Sequence, residues 1–295
     1  MSTIERFESY LEAEQRCSPH TIEAYGRDLR QLADRCGIDD ENIEEGSIAT
    51  ADIRAWIGSL GDQGLSALSL RRKLQSIRAF FRWGRRCGIF ESNPAADVTL
   101  AKKRRKLPTF VKEDELEDVL ASTSRCFAEE RSHIIITMLY TLGLRQAELL
   151  SLTDADISLP GREIKVTGKR NKQRVIPMPD ELRAEIVRWQ KIRDDRYPAL
   201  SNPKPLIAGP HGFLSKHQLY KIVKSGLATT STSRKSPHTL RHSFATAMIN
   251  NGADLDAVRE MLGHVSLATT QIYTHLSFKD LMDNYSKSHP RGKGD

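Results

Sequence analysis

Apolar residues in the first hundred positions recur at intervals of three and four, the period of amphipathic α-helices. The first such pattern runs through TIERFESYLEAEQR, and its apolar positions are Ile4, Phe7, Tyr10 and Leu11. A second helix is predicted from Ser18, a suitable N-cap followed by Pro19, to Gly37, a suitable stop. Thr50 and Ser66 are predicted to cap two further helices. Residues 1–99 are therefore predicted to form an all-helical domain.

The helix that follows Ser66 and runs to about Cys87 carries two stripes of different character. Its apolar stripe is predicted to face the core and consists of Leu70, Leu74, Ile77 and Phe81. The stripe beside it consists of Arg71, Arg78, Arg82 and Arg85. Adjacent guanidinium groups repel one another unless a negative partner lies across them. The arginine stripe is therefore interpreted either as a nucleic-acid-binding face or as a merely solvated one.

Residues 111–295 combine many helical patterns with one stretch of strand period. Helices are predicted within 112–122, 131–143, 144–152, 179–195, 209–227, 236–252, 254–264, 267–275 and about 278–286. Between them, REIKVTGKRNKQRVIPM (162–178) contains two short β-type runs around a polar turn, which predicts a hairpin. The longest apolar run, 134–144, is too short to span a bilayer, so we expect no membrane insertion. The predicted fold class is mainly α, with a mixed, mostly helical C-terminal domain that contains a small β-hairpin.

A basic segment separates the two predicted domains. LAKKRRKLPTF (100–110) has five consecutive basic residues and then a proline, and few helix signals precede it. The basic residues are Lys102, Lys103, Arg104, Arg105 and Lys106. They are compatible with a solvated linker or with a strap along a phosphate backbone.

Composition narrows the functional class only in part. The chain has 295 residues, of which 39% are hydrophobic and 28% charged, so it can bury real cores. Its formal net charge of +7 permits a polyanionic partner without proving one. The four cysteines are scattered without metal-ligand spacing, and the N-terminus lacks a signal-peptide pattern. We therefore expect a cytoplasmic protein with reduced thiols.

The stretch HTLRHSFAT (238–246) places His238 and Arg241 about one helical turn apart, so both project from the same face. Such a pair suits an anion when it faces a cleft, but it is also common on solvated helices. Four other polar residues of this domain are candidates for the same chemistry. They are Arg145 at the start of a predicted helix, Lys169 in the hairpin turn, His264 at a helix end and Tyr273 in QIYTH.

In this order and context, the six residues resemble those of the tyrosine recombinase, or integrase, family. The matching stretches are TLGLRQAELLSLTDADI, VTGKRNKQRVIPM, SPHTLRHSFATAMINNGADLDAVREMLGHVSLATTQIYTHLS and, in the N-terminal domain, CSPHTIEAYGRDL and SIRAFFRWGRRCGIFESNPA. The SHPR tail and the chain length are similar to those of the Xer branch, the chromosome-dimer-resolving recombinases. The resemblance implies a SAM-like helical core-binding domain followed by a recombinase catalytic domain.

The resemblance also implies a role for each residue. Tyr273 is the expected nucleophile, Arg145 and Arg241 are expected to clamp the scissile phosphate, and His264 is expected to hydrogen-bond it. His238 is expected to accept the tyrosine proton. The chemistry agrees, because a phenol with a pKa of about 10 needs a base or a cationic cavity at neutral pH. Forked guanidinium donors also suit the nonbridging phosphate oxygens.

Lys169 is the expected general acid, because the leaving 5′-oxygen departs poorly unless it is protonated. The sequence departs from the family at Arg170, where the family often has glycine after the lysine. Lys172 is therefore the fallback for the general acid.

No metal ion or other cofactor is expected. The protein–DNA ester conserves the energy of the broken bond, and no phosphate-binding loop motif for ATP is present in the sequence. Two acidic pairs, Asp154 with Asp156 and Asp254 with Asp256, are better explained as capping residues than as metal ligands.

The partner implied by the resemblance is double-stranded DNA, bound by a homotetramer or by a heterotetramer with a sister recombinase. A translocase of the FtsK type is a further implied partner. The last helix, with Phe278, Leu281 and Met282, is expected to dock on a neighbouring protomer as an exchange helix; the alternative is that it folds back on its own domain. Competing functions are a mobile-element integrase or transposon recombinase, a type IB topoisomerase and, distantly, a non-catalytic DNA-binding protein of the same fold.

Overall fold

A computed structural model describes residues 1–39, 43, 47–100, 109–122, 126–168, 172–200, 202–263 and 278–292, with only the backbone of Phe278 and Lys279. The chain divides into two compact units, Met1–Lys106 and Leu107–Asp295. The division falls within the predicted linker 100–110. The fold is mainly α, as the sequence predicts, with small antiparallel sheets in the second unit.

The N-terminal unit contains four helices among its described residues. They are α1 (Thr3–Ala13), α2 (Pro19–Cys36), α3 (Thr50–Asp62) and α4 (Ala67–Arg86). One hydrophobic cluster joins them, and its fully buried members include Phe7, Leu32, Ile53 and Ile77. The apolar stripe predicted on α4 faces this core, with Leu70 at its partly buried edge.

Two of the predicted caps are confirmed, and one is wrong. The Ser18 and Ser66 hydroxyls accept hydrogen bonds from the first turns of α2 and α4, and Gly37 ends α2 in the left-handed conformation. Thr50 is the first residue of α3 rather than its cap. Its hydroxyl instead donates to the carbonyl of Pro94 at 2.9 Å. The N-cap residue is Ala49, whose backbone N–H donates to the Asp52 carboxylate.

The C-terminal unit is built around one buried helix. Its described helices are α5 (Glu113–Ala121), α6 (Phe127–Thr141), α7 (Gln146–Ser151), α8 (Asp180–Arg196), α9 (Lys216–Gly226), α10 (Pro237–Asn250), α11 (Leu255–Leu262) and α12 (Phe278–Ser288). Every residue of α6 from Ile134 to Thr141 is buried, as its long apolar run predicts. In the described part of the chain, no helix has the length and apolar character that crossing a membrane requires. The helix predicted within 267–275 lies outside the described residues.

The predicted hairpin forms, with one short strand added at its edge. Strands β1 (Ile157–Ser158), β2 (Glu163–Thr167) and β3 (Gln173–Pro177) make an antiparallel sheet in that order. The backbone N–H of Gly168 donates to the carbonyl of Lys172 at 2.7 Å, so the pairing of the two strands continues beyond their ends. Strands β4 (Ala208–Gly209) and β5 (Gly212–Phe213) pair separately. Two-residue strands are too short to show a period in the sequence.

The acidic pairs that were predicted to be caps divide into two kinds. Asp254 caps α11 by accepting from two backbone N–H groups, and Asp156 accepts from the backbone N–H of Thr153. The expectation is wrong for Asp256, which accepts from the Arg259 side chain at 2.9 Å. It is also wrong for Asp154, which instead accepts two hydrogen bonds of 2.7 Å from the buried guanidinium of Arg193. A buried charge requires such a partner, so packing rather than helix capping decides the role of Asp154.

The C-terminal helix α12 packs on its own unit, against α10, α11 and β3. Leu281, Tyr285 and the following His289 are buried there, and the His289 ring stacks on Tyr285 with centroids 4.8 Å apart. Arg291 of the SHPR tail donates to Glu185 on α8 at 2.6 Å. In the single chain, the helix thus takes the second of its two expected positions. Its docking on a neighbouring protomer remains a prediction for the DNA-bound assembly.

Candidate active site

Arg241 lies in the first turns of α10, where the residue is only 6% exposed. Its Nη1 donates to the carbonyl of Gly143 at 2.6 Å and its Nη2 to the carbonyl of Leu262. The close approach needs glycine at position 143, because φ there is +59° and a Cβ would lie 2.5 Å from the Phe244 ring. Arg241 is therefore fixed between three segments of the chain.

Arg145 is the N-cap residue of α7 and remains partly open, with 38% of its side chain exposed. Its backbone N–H donates to Glu148 Oε2 at 2.8 Å, and its Nη1 donates to Glu148 Oε1 at 2.7 Å. Its Nη2 donates to the carbonyl of Gly263 at 3.0 Å. These contacts hold the guanidinium in place while one side of it faces the solvent.

Two residues that our sequence interpretation missed complete this network. Glu148 is buried and accepts hydrogen bonds of 2.9 and 2.8 Å from the two Nη atoms of Arg174. The Nε of Arg174 donates to the carbonyl of Met261 at 2.8 Å. Both residues left a signal in the sequence. Glu148 stands at the capping position three residues after Arg145, and strand alternation places Arg174 on the same buried face of β3 as Ile176.

The C-terminal end of α11 organises all three arginines. Its consecutive carbonyls, those of Met261, Leu262 and Gly263, accept from Arg174, Arg241 and Arg145 respectively. The last carbonyls of a helix have no partner within the helix and carry the negative end of its dipole. The helix end and the Glu148 carboxylate thus position three positive groups that would otherwise repel one another.

The electrostatics of this cluster leave it strongly positive. Burial alone would raise the pKa of the Glu148 carboxyl, but hydrogen bonds from Arg174 and from the Arg145 backbone outweigh burial and lower this pKa to about 2. Burial and then the charge of Arg145 lower the pKa of Arg241 to about 10, so Arg241 still carries its proton at neutral pH. Three guanidinium groups and one carboxylate give a net charge of +2.

His238 lies one turn before Arg241 on α10, as the spacing predicts, and the residue is exposed. The centroid of its ring lies 4.5 Å from that of His242. Partial burial, followed by the nearby charges of His242 and Arg241, lowers the pKa of His238 below its ordinary value. The lowered pKa favours the neutral form of His238, whose unprotonated ring nitrogen can accept a proton.

The other three predicted site residues, Lys169, His264 and Tyr273, lie outside the described residues. The residues that directly precede Lys169 and His264 are described, and both lie near Arg145. A cavity of about 580 Å³ is lined by residues that include Arg145, Lys165 and Gly168, and Gly168 directly precedes Lys169. Gly263, which directly precedes His264, accepts from Arg145. The structure thus places Arg145 and Arg241 in one cluster, with His238 near Arg241. Gly168 and Gly263, which precede Lys169 and His264, lie at the same cluster.

The arginine stripe on α4 is only partly available for binding. Arg71, Arg82 and Arg85 are exposed. Arg78 is half-buried, and its guanidinium donates to the carbonyls of Ala95, Ala96 and Val98 at 3.0, 3.2 and 2.7 Å. Tertiary contacts thus engage Nε and Nη2 of Arg78, and a DNA contact by Arg78 remains a prediction. The linker candidates Lys102, Lys103, Arg104 and Arg105 lie outside the described residues.

Neutralising Arg82 and Arg85 together as Arg82→Gln/Arg85→Gln is expected to weaken the salt dependence of DNA binding. If each contacts one phosphate, the slope of log K against log salt falls in magnitude by about 2 in total. Fluorescence anisotropy with a labelled duplex at several salt concentrations measures this slope. Arg78→Gln is the matched control, and we expect it to leave the slope unchanged but to lower the free energy of unfolding by about 1 kcal/mol. Equal slopes in the double variant and the wild type would contradict the prediction.

Helix α9 presents a second basic face that our sequence interpretation did not identify. Tyr220 is 43% exposed, and its exposed neighbours on the helix are Lys216, His217, Lys221 and Lys224. Cations at helical spacing around an exposed aromatic ring are compatible with a polyanionic partner. The signal was present in KHQLYKIVK, where polar and apolar positions separate with a helical period.

Comparisons with known proteins identify the family of this chain. The phage integrase family model matches residues 109–280, and the phage integrase N-terminal SAM-like domain model matches residues 4–88. Tyrosine recombinase XerC of Chlorobaculum parvum is 35% identical and covers 97% of this chain and 94% of its own. Tyrosine recombinase XerD of Oceanobacillus iheyensis is 34% identical and covers 98% of each chain.

Solved structures establish the same fold. The Tn1549 transposon integrase in complex with transposon right-end DNA has a TM-score of 0.73 at 20% identity, covering 95% of this chain and 97% of that one. The XerH recombinase in a post-cleavage complex with a palindromic difH substrate has a TM-score of 0.70 at 22% identity, covering 96% and 83%. The chain therefore belongs to the phage integrase family, the tyrosine recombinases, which break and rejoin DNA. Within that family its full-length relatives place it in the Xer branch.

Proposed function

We propose that this chain is a site-specific recombinase that cuts and rejoins DNA through a 3′-phosphotyrosyl intermediate. The observation that carries the proposal is the arginine pair. The end of α11 holds both arginines, Glu148 hydrogen-bonds Arg145 and lies 4.0 Å from Arg241, and His238 lies near Arg241. Donors fixed in advance stabilise the charge that develops on a phosphate in the transition state without reorganising during the reaction.

In the proposed cleavage step, the phenolic oxygen of Tyr273 attacks the scissile phosphorus while its proton passes to His238. The bond from phosphorus to the 5′-oxygen breaks, and Lys169 donates a proton to that leaving oxygen. Arg145, Arg241 and His264 bind the nonbridging oxygens. The new phosphotyrosyl ester conserves the bond energy, so attack by another 5′-hydroxyl rejoins the strand.

The proposed biological reaction is the resolution of chromosome dimers at a dif-like site in the cytoplasm. The supporting observation is that relatives matching nearly the whole chain are named XerC and XerD. The proposed active form is a tetramer on two DNA sites, made of this chain alone or shared with a sister recombinase. A translocase of the FtsK type is the proposed regulator. In this assembly α12 is proposed to leave its own unit and dock on a neighbour.

Trapping with a nicked duplex tests the chemical step. The nick releases the 5′-hydroxyl fragment after cleavage, so the protein–DNA ester cannot reverse. After nuclease and trypsin treatment, we expect mass spectrometry to find the nucleotide adduct on the peptide spanning 260–279, in which Tyr273 is the single tyrosine. An adduct on another peptide, or no adduct, would overturn the proposal. The same trapping on genomic fragments identifies the target: sequences near the replication terminus support dimer resolution, and sequences at element ends contradict it.

A further inference from the structure

We propose that Arg174 is a positioning residue for strand cleavage, a role that rests on the proposed function. Arg174 neutralises Glu148, and it thereby keeps Arg145 and Arg241 available for the scissile phosphate. The network places Arg174 behind the carboxylate, while Arg145 lies at the open cavity. Arg174 would act on the phosphate through Glu148 rather than by contact.

The geometry shows why Arg174 is not itself a phosphate ligand. Its side chain is only 13% exposed, and all three of its nitrogen atoms already donate, two to Glu148 and one to Met261. A forked contact with a phosphate, made by two neighbouring N–H groups, would therefore require at least one of those hydrogen bonds to break. A guanidinium that donates from all three nitrogen atoms to a carboxylate and a carbonyl serves to hold those groups in place.

Glu148 needs this second guanidinium because it lies close to both arginines of the proposed clamp. Its Oε1 is 2.7 Å from Arg145 Nη1, and its Oε2 is 4.0 Å from Arg241 Nη1. A buried carboxylate that loses one partner draws more strongly on the others. Without Arg174, the Glu148 carboxylate would attract the guanidinium groups of Arg145 and Arg241 away from a bound phosphate. The net charge of the cluster would also fall from +2 to +1.

Arg174 also joins two parts of the site. It lies on β3, two residues after Lys172 at the base of the hairpin turn, and its Nε reaches the carbonyl of Met261 near the end of α11. The hairpin, the start of α7 and the end of α11 therefore meet at one side chain. A displacement of about 1 Å at such a junction is enough to reduce a reaction rate by about 10²-fold.

A charge-balancing pair of substitutions tests this role in the full-length protein. We expect Arg174→Gln to slow single-turnover cleavage of the nicked duplex by about 10²-fold, with DNA affinity unchanged. Adding Glu148→Gln restores the net charge of +2, so we expect the double variant to cleave faster than Arg174→Gln alone. A merely structural role predicts the opposite, because a second buried substitution adds further damage.

Two controls separate positioning from folding. Thermal unfolding of each variant gives the folded fraction, to which the rates are normalised. Arg193→Lys changes another buried arginine that is held by carboxylates, Asp154 and Asp194, neither of which contacts Glu148 or its arginines. We expect it to lower stability without slowing cleavage. The inference would be overturned if Arg174→Gln cleaved at the wild-type rate, or if the double variant cleaved no faster than Arg174→Gln. An absence of covalent product from the wild-type protein would overturn the proposed function instead.

Discussion

Replacing Tyr273 by phenylalanine is expected to abolish covalent attachment of the chain to DNA. The substitution removes one oxygen atom, the proposed nucleophile, and leaves the shape of the side chain almost unchanged. Loss of a nucleophile that forms a covalent intermediate typically costs several orders of magnitude in rate, so we expect a reduction of at least about 10⁴-fold. Denaturing gel electrophoresis of the nicked-duplex reaction measures the attached fraction directly.

The Tyr273→Phe variant should still bind DNA, because the proposed contacts to the phosphate come from other residues. Its affinity for an intact duplex is therefore expected to equal that of the wild type. Tyr197→Phe, which changes a half-buried tyrosine at the end of α8, is the matched control and should attach DNA at the normal rate. A normal yield of tyrosyl-linked DNA from Tyr273→Phe would show that another residue is the nucleophile.

Substitution of Arg241 by lysine is expected to reduce cleavage by about 10²- to 10³-fold although the positive charge is retained. Two of the five guanidinium N–H groups reach the carbonyls of Gly143 and Leu262, and the fork leaves others for a phosphate. A lysine ammonium is a single point and does not cover both carbonyls while it also binds an anion. The proposed role of Arg241 therefore requires the forked donors of a guanidinium as well as its positive charge.

Arg241→Lys is also expected to destabilise the C-terminal unit by about 1–3 kcal/mol, because at least one buried carbonyl loses its partner. Urea unfolding measures this effect, and single-turnover cleavage at a temperature where the variant remains folded measures the catalytic one. Arg259→Lys is the control on the neighbouring α11, where the arginine is exposed and pairs with Asp256. Equal cleavage by Arg241→Lys and the wild type would remove Arg241 from the proposed phosphate clamp.

The network around Glu148 explains how positive groups are kept close together without a bound anion. Like charges in a partly buried site repel one another, and each loses hydration. One carboxylate and three consecutive carbonyls at the end of α11 compensate both costs. The compensation is incomplete by two charges, and this remaining positive charge suits the proposed binding of a phosphate diester.

The fold was largely predictable because its signals are local. Helix boundaries at Ser18, Gly37 and Ser66 follow from the hydrogen-bonding and conformational preferences of single residues, and the hairpin around Lys169 follows from the change of period. The common face of His238 and Arg241 follows from their spacing on one helix. The roles of Lys169, His264 and Tyr273 remain predictions from the family resemblance.

By itself, the sequence determined the mainly helical class, most helix boundaries, the hairpin and the family motifs. Tertiary structure alone decided which donors are free. It engaged Arg78 with the chain that follows α4, buried Arg174 behind Glu148, joined Arg145 to Gly263, and placed α12 on its own unit. The physical reason is distance along the chain: Arg145 and Gly263 are 118 residues apart, and no periodic pattern records a hydrogen bond of that range.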